Sequence, residues 1–141
     1  RDVENVYYEA ERTGMKSTFA SYFESTLGMN LSDLERTILY IFATLIIGKE
    51  RDPSIHYSKE SLILKVNELF RDCHIVPPPE IDMNRSFAYL AMTGLLVDSG
   101  KTIRMAYPIY VDILHRLEEA DHNKIFDLIA KYDSKERGKD E

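Results

Sequence analysis

The stretch RSFAYLAMTGLLVDSGKTIRMAY, residues 85–107, decides how the chain is read. Phe87, Leu90 and Ala91, with Met83 just upstream, recur at helical spacing, and Thr93-Gly94 closes that helix. Leu95-Leu96-Val97 is then a short apolar strand. Asp98-Ser99-Gly100-Lys101 is a turn signal, and Thr102 to Tyr107 alternates polar and apolar residues as a returning strand does. The expectation is a helix followed at once by a β-hairpin near residues 95–107.

Upstream, Ser32-Asp33-Leu34-Glu35 has the capping-box pattern, a serine followed three residues later by a glutamate. It opens a helix in which Leu34, Ile38, Leu39, Ile41, Phe42 and Leu45 cover most of the circumference, so that helix is expected at the centre. Gly48 ends it, and Lys49 to Tyr57, with Pro53, reads as a polar loop. Ser58 caps the next helix, Lys59 to about Asp72, whose Leu62, Val66, Leu69 and Phe70 face inward. Pro77-Pro78-Pro79 cannot continue a helix and serves as a rigid linker, after which Glu80 or Asp82 starts the helix of the opening stretch.

Downstream, Pro108 suits a first helical turn, and the helix runs to about Glu119 through Ile109, Ile113, Leu114 and Leu117. Asp121 caps a last helix bearing Ile125, Phe126, Leu128 and Ile129, and a charged tail that frays is expected from Asp133. At the other end, Val3, Val6, Tyr7 and Ala10 mark one helix, closed by Thr13-Gly14. Phe19, Tyr22, Phe23 and Leu27 mark a second, stopped by Gly28. The division is an N-terminal helical extension over 1–30, a core over 31–119, a C-terminal helix over 120–132 and a flexible tail over 133–141. Leu39, Phe42, Leu62, Leu69, Phe87, Leu90 and Leu114 are expected to share one core.

Helix, helix, helix, hairpin, helix over residues 32–119, with Arg85-x-Phe-x-x-Leu-x-x-x-Gly-Leu-Leu at its heart, resembles a winged helix-turn-helix domain. There the glycine lets the chain leave the third helix and the next two apolar residues bury the base of the wing. The fold class implied is mainly α: a winged-helix core of three helices and a two-stranded wing, with extra helices at both ends. The segment Tyr107-Pro108-Ile109-Tyr110-Val111-Asp112-Ile113-Leu114 after the wing is similar to the end of the winged-helix domains of archaeal AAA+ and signalling-type ATPases. That similarity implies a regulatory module beside an ATPase core. The chain departs from such an ATPase in having no Gly-x-x-x-x-Gly-Lys-Ser/Thr loop to cradle phosphates.

Composition narrows the function. The chain has 141 residues, 44% hydrophobic and 30% charged, which suits one globular domain rather than a disordered chain. A single cysteine, Cys73, excludes an internal disulfide and fits a reducing, cytoplasmic setting. The longest apolar run, Ile38 to Ile47, is too short to span a bilayer, so no membrane partner is expected. The first residue is Arg1 rather than methionine, as in a fragment or processed product. The net charge is −6, and none of the segments 1–57, 58–107, 108–130 and 131–141 carries a basic surplus. Nucleic-acid binders usually show one, because counterion release from phosphates supplies most non-specific affinity.

Catalytic and metal chemistry find little footing. No histidine pair among His56, His74, His115 and His122 has the i, i+4 spacing of a helical zinc site. Asp112, His115 and Glu119 share a helix face that reads as solvated, and Cys73 beside His74 reads as a half-buried thiol. No catalytic residue, metal or cofactor is assigned. For duplex DNA the candidates are Asn84, Arg85 and Ser86 on the third helix, Lys101 and Arg104 on the wing, and Lys59 and Lys65 on the preceding helix. Glu80, Asp82 and Asp98 lie beside them and would repel a phosphate backbone. For protein contact, Tyr7, Tyr8, Tyr22 and Phe23 form an aromatic set that either packs in the core or meets a second copy or another domain. Binding to another protein domain or a second copy is ranked ahead of DNA binding.

Overall fold

The computed structural model describes residues 31–48, 52–116 and 122–139. The two N-terminal helices expected over 2–28, with Tyr7, Tyr8, Tyr22 and Phe23, and the Asp121 cap lie outside the described residues. Among the described residues the chain is mainly helical with a small antiparallel sheet.

Helix α1 (Asp33–Ile41) starts at the expected capping box. The Glu35 amide donates to Ser32 Oγ at 3.2 Å, and the Ser32 amide donates to Glu35 Oε1 at 2.8 Å. The chain then continues as a π-helical segment, Phe42–Ile47, where an uninterrupted α-helix was expected. The Gly48 amide donates back five residues to the Ala43 carbonyl, and Gly48 leaves the helix at φ +64°, open to a residue without a Cβ. Leu34, Thr37, Ile38, Leu39, Tyr40, Ile41 and Phe42 are all buried. The Thr37 hydroxyl finds its partner inside the helix, donating to the Asp33 carbonyl.

A two-residue strand, β1 (Tyr57–Ser58), replaces the end of the expected polar loop. Ser58 also caps α2 (Lys59–Asp72), its Oγ accepting from the Ser61 amide at 3.2 Å. Helix α2 buries Leu62, Val66, Leu69 and Phe70 as expected. Helix α3 (Glu80–Met92) buries Met83, Ser86, Phe87 and Leu90. Strands β2 (Leu96–Asp98) and β3 (Thr102–Met105) form the expected hairpin, Leu96 facing Met105 and Val97 facing Arg104. Strand β1 pairs on the other side of β3, Tyr57 opposite Ile103, so the sheet has three strands in the order β1-β3-β2 rather than the two expected. Two residues give no alternation to read, and only the edge of β3 makes Tyr57–Ser58 a strand.

Both helices that flank the proline linker end in the same way. After α3 the Leu95 amide reaches the Leu90 carbonyl and the Gly94 amide the Ala91 carbonyl, with Gly94 at φ +81°. After α2 the Ile75 amide reaches the Phe70 carbonyl and the His74 amide the Arg71 carbonyl. Here the left-handed position, at φ +59°, is taken by His74. Both are Schellman endings, which satisfy the last carbonyls and turn the chain sharply.

Helix α4 (Pro108–Arg116) follows the hairpin and packs against the π-helical segment and β3. Helix α5 (His122–Lys139) lies along α1, burying Ile125, Leu128 and Ile129. The stretch expected as a frayed tail from Asp133 is helical through Lys139. Lys135 Nζ sits 2.6 Å from Asp33 Oδ2, Arg137 pairs with Asp133 one turn away, and Tyr132 stacks edge-on to Phe70. These ties extend the docked helix past its last buried aliphatic residue.

The seven residues expected to share a core are all buried in one cluster. Leu90 is fully buried, so Leu90→Ala should lower stability by about 2–5 kcal/mol in a urea titration. His74 carries a left-handed strain of about 1–2 kcal/mol that glycine lacks, which outweighs the about 0.4–1 kcal/mol of chain entropy that glycine adds to the unfolded state, so His74→Gly should raise the urea midpoint.

Candidate nucleic-acid and protein interface

Three of the candidate residues, Lys59, Asn84 and Lys101, meet where the start of α2, the outer side of α3 and the hairpin tip converge. The Lys59 amide donates to the Lys101 carbonyl at 3.0 Å, fixing the first turn of α2 to the hairpin turn. An open cleft of about 550 Å³ runs between Lys59, Glu60, Ile63, Asn84 and Lys101. Lys59, Asn84 and Lys101, candidates named from the sequence, thus border one cleft. Of these three, Lys59 is the one whose side chain is already engaged.

Lys59 is committed to the fold. Its Nζ lies 2.8 Å from Asp98 Oδ2, with both side chains largely shielded, and 5.1 Å above the Phe87 ring. The opposed charge that would repel a phosphate backbone at Asp98 is thus already neutralised by a candidate cation. Asp98 Oδ1 also accepts from the Gly100 amide at 2.8 Å, which shapes the hairpin turn. Burial alone would push the Asp98 carboxyl upward, but the bonds from Lys59 and Gly100 outweigh it and hold it below the ordinary carboxylate range.

Arg104 folds back along its own strand, Nη1 donating to the carbonyls of Met105 and Ala106. Lys65 approaches Glu68 at 3.7 Å. Ser86 is buried, its hydroxyl donates to the Asp82 carbonyl at 2.9 Å, and it lies on the side of α3 away from the hairpin cleft. Asn84, Arg85 and Lys101 are exposed.

Arg85 instead borders a second cleft of about 330 Å³, between the start of α1, α3 and the end of α5. Asp33, Asp82 and Glu136 face it with Arg85, Tyr132 and Lys135. Asp33 is held by Lys135, and Asp82 accepts from the Tyr132 hydroxyl at 3.3 Å. Burial, then the charges of Asp82 and Glu136, push the Tyr132 phenol well above its ordinary range, so it stays protonated. Burial, then Asp72, pushes the Cys73 thiol up as well, away from the reactive thiolate. Among the described residues no group of three His, Cys, Asp or Glu side chains could hold a metal ion, and no helix is long and apolar enough to cross a membrane.

The outer side of α3 holds a feature that the sequence reading passed over. Ile81 and Met92 are 59% and 75% exposed, and Ala88 is exposed between them. At 100° per residue, Ile81, Arg85, Ala88 and Met92 fall within about 60° of arc, a stripe roughly 16 Å long. Three apolar residues at i, i+7 and i+11 were legible as a second face of the helix, but the core-facing set Met83, Phe87 and Leu90 dominated its periodicity.

Comparison with known proteins brings no match: no family model, no curated protein and no solved structure matches the chain.

The Asp98 carboxyl predicts a direction for pH dependence. A carboxyl held low in the folded state stabilises above its ordinary range, and that contribution is lost as pH falls through the folded value. Urea midpoints of the wild type and Asp98→Asn should differ clearly at neutral pH, and the gap should close in acid. A gap independent of pH would remove the Lys59–Asp98 pair as its source.

Proposed function

We propose that the chain is a non-catalytic winged-helix module that works by protein contact rather than by gripping a phosphate backbone. The winged-helix assignment is supported by the order α1-β1-α2-α3-β2-β3, by a sheet ordered β1-β3-β2 with the hairpin next to α3, and by the glycine exit at Gly94. In a winged helix α3 is the element usually offered to a partner, and the hairpin flanks it. Fold alone leaves the partner open, so the side chains must carry the choice.

The observation that carries it is how the candidate cations are used. Lys59 is tied to Asp98, Arg104 to its own backbone, and Lys65 lies by Glu68, while Ser86 is buried. Arg85 and Lys101 are the exposed cations of the set, and acids share their clefts, Glu60 with Lys101 and Asp33, Asp82 and Glu136 with Arg85. Two phosphate contacts give only weak, salt-sensitive attraction. The face of α3 is instead apolar around one cation, a composition suited to a protein surface. By its resemblance at residues 107–114 the module belongs to a larger protein, where it would act as a regulatory contact inside the cell.

A second reading, duplex DNA, is favoured by one observation: Asn84 and Lys101 border the same cleft and Arg85 is exposed one residue along. An arginine and an asparagine on such a helix can read guanine and adenine edges. Fluorescence anisotropy with random and mixed-sequence duplexes at low ionic strength separates the two. The expected result is no salt-sensitive micromolar binding. Binding of that strength, abolished by Arg85→Ala and Lys101→Ala, would establish DNA as the partner instead.

A further inference from the structure

Helix α5 is docked by apolar burial along only part of its length. Ile125, Leu128 and Ile129 are buried, and no residue from 130 to 138 is. Past Ile129 the ties to the body are of another kind. The Tyr132 ring meets Phe70 edge-on at 5.8 Å, its hydroxyl donates to Asp82 Oδ2 at 3.3 Å, and Lys135 Nζ sits 2.6 Å from Asp33 Oδ2. The hydroxyl bond is long for an O–H donor and therefore weak. The ion pair is short but open on one side, with the Lys135 side chain 70% exposed and that of Asp33 11%. Such pairs contribute little in water, and salt weakens them further.

The local sequence does not hold this end by itself. Ser134 and Gly138 are poor helix formers, and so short a helical end is unstable in water without packing. Arg137 pairs with Asp133 one turn back at 2.9 Å, which links the end to itself and not to the body. Tyr132, Lys135 and Glu136 also line the cleft of about 330 Å³ that they share with Asp33, Asp82 and Arg85. Segments with few buried apolar contacts open locally at a cost well below that of unfolding the domain.

We propose that residues 130–139 form a salt-sensitive strap, which unwinds from its C-terminal end when the Lys135–Asp33 pair is lost while Ile125, Leu128 and Ile129 keep the rest of α5 docked. Closed, the strap is one wall of the cleft beside Arg85. Open, it withdraws Tyr132, Lys135 and Glu136 and leaves Asp33 and Asp82 facing Arg85. The charge that the domain presents on this side of α3 therefore changes with the strap. This goes beyond the protein-contact reading and holds for any partner.

Residue-resolved amide hydrogen exchange on the whole chain tests it, at about 0.01 M and about 1 M salt, between which the screening length falls from about 30 Å to about 3 Å. Rates are read as protection relative to the unfolded chain in the same salt. At low salt the amides of residues 133–137 should be protected, but less than those of Leu128 and Ile129. High salt should lower the protection of 133–137 roughly two- to five-fold and leave Leu128 and Ile129 unchanged. Lys135→Met should show the high-salt protection at both salt concentrations. Tyr132→Phe, which keeps the ring on Phe70, should lower protection but retain the salt dependence. Thermal melts of both variants should stay close to the wild type, which separates local opening from a damaged fold. Protection of 133–137 equal to that of Leu128 and Ile129 overturns the strap, because the helix then opens only as a whole. Protection that ignores salt or Lys135→Met overturns it too, as does its absence at low salt. None of these outcomes involves a partner, so each leaves the protein-contact reading standing.

Discussion

Leu34, Ile38, Leu39, Ile41 and Phe42 span roughly 160° of α1 at 100° per residue, Thr37 and Tyr40 are buried on its other side, and no single neighbour can cover a helix on every side. Burial at roughly 25 cal/mol per Å² rewards each flank that is shielded, so the other elements must surround α1 rather than stack in a layer beside it. Helix α5 takes one flank and α3 another, α2 meets it through the Leu62, Val66 and Phe70 face, and α4 closes on its π-helical end. The short connections follow from this. Each helix must turn back soon after it ends, and the left-handed exits at Gly48, His74 and Gly94 supply those turns.

The hairpin is held to this bundle by polar ties rather than by area alone. The Lys59 amide to the Lys101 carbonyl, Lys59 Nζ to Asp98, and β1 against β3 all join the start of α2 to the sheet. Phe87 from α3 lies beneath the Lys59 ammonium, so one cation touches α2, α3 and the hairpin at once. A shielded ion pair of this kind stabilises little beyond an apolar substitute, but breaking one side leaves an unpaired charge away from water, which is costly. Its structural role is to fix where the hairpin stands relative to α3. A lysine spent on that task is no longer among the exposed cations of this side of the fold.

Counting charges along the chain already disfavoured a polyanionic partner, but for an incomplete reason. The count treats Lys59, Arg104 and Asp98 as independent and solvated. Three-dimensional pairing removes Lys59 and Asp98 together and turns Arg104 onto the Met105 and Ala106 carbonyls. Arg85 and Lys101 remain exposed, and the apolar positions Ile81, Ala88 and Met92 become the main feature of the same side of α3.

What the sequence by itself determined are the features whose causes are local. The capping box at Ser32, the Ser58 cap, the Gly94 exit, the turn at Ser99-Gly100 and Pro108 at a helix start all depend on residues within a few positions of one another. The seven core positions were legible because helical periodicity is local too. Only tertiary structure decided the rest. Tyr57–Ser58 is a strand because β3, some forty-five residues later, offers it an edge. Residues 133–139 continue a helix already docked on α1 through Ile125, Leu128 and Ile129, and Lys135 there reaches Asp33 about a hundred positions away. Ser86 turns inward because α3 packs on α1, and Lys59 is a structural cation because Asp98 comes to lie beside it. Pairings across such separations depend on which surfaces the fold brings together, and no window along the chain contains both partners.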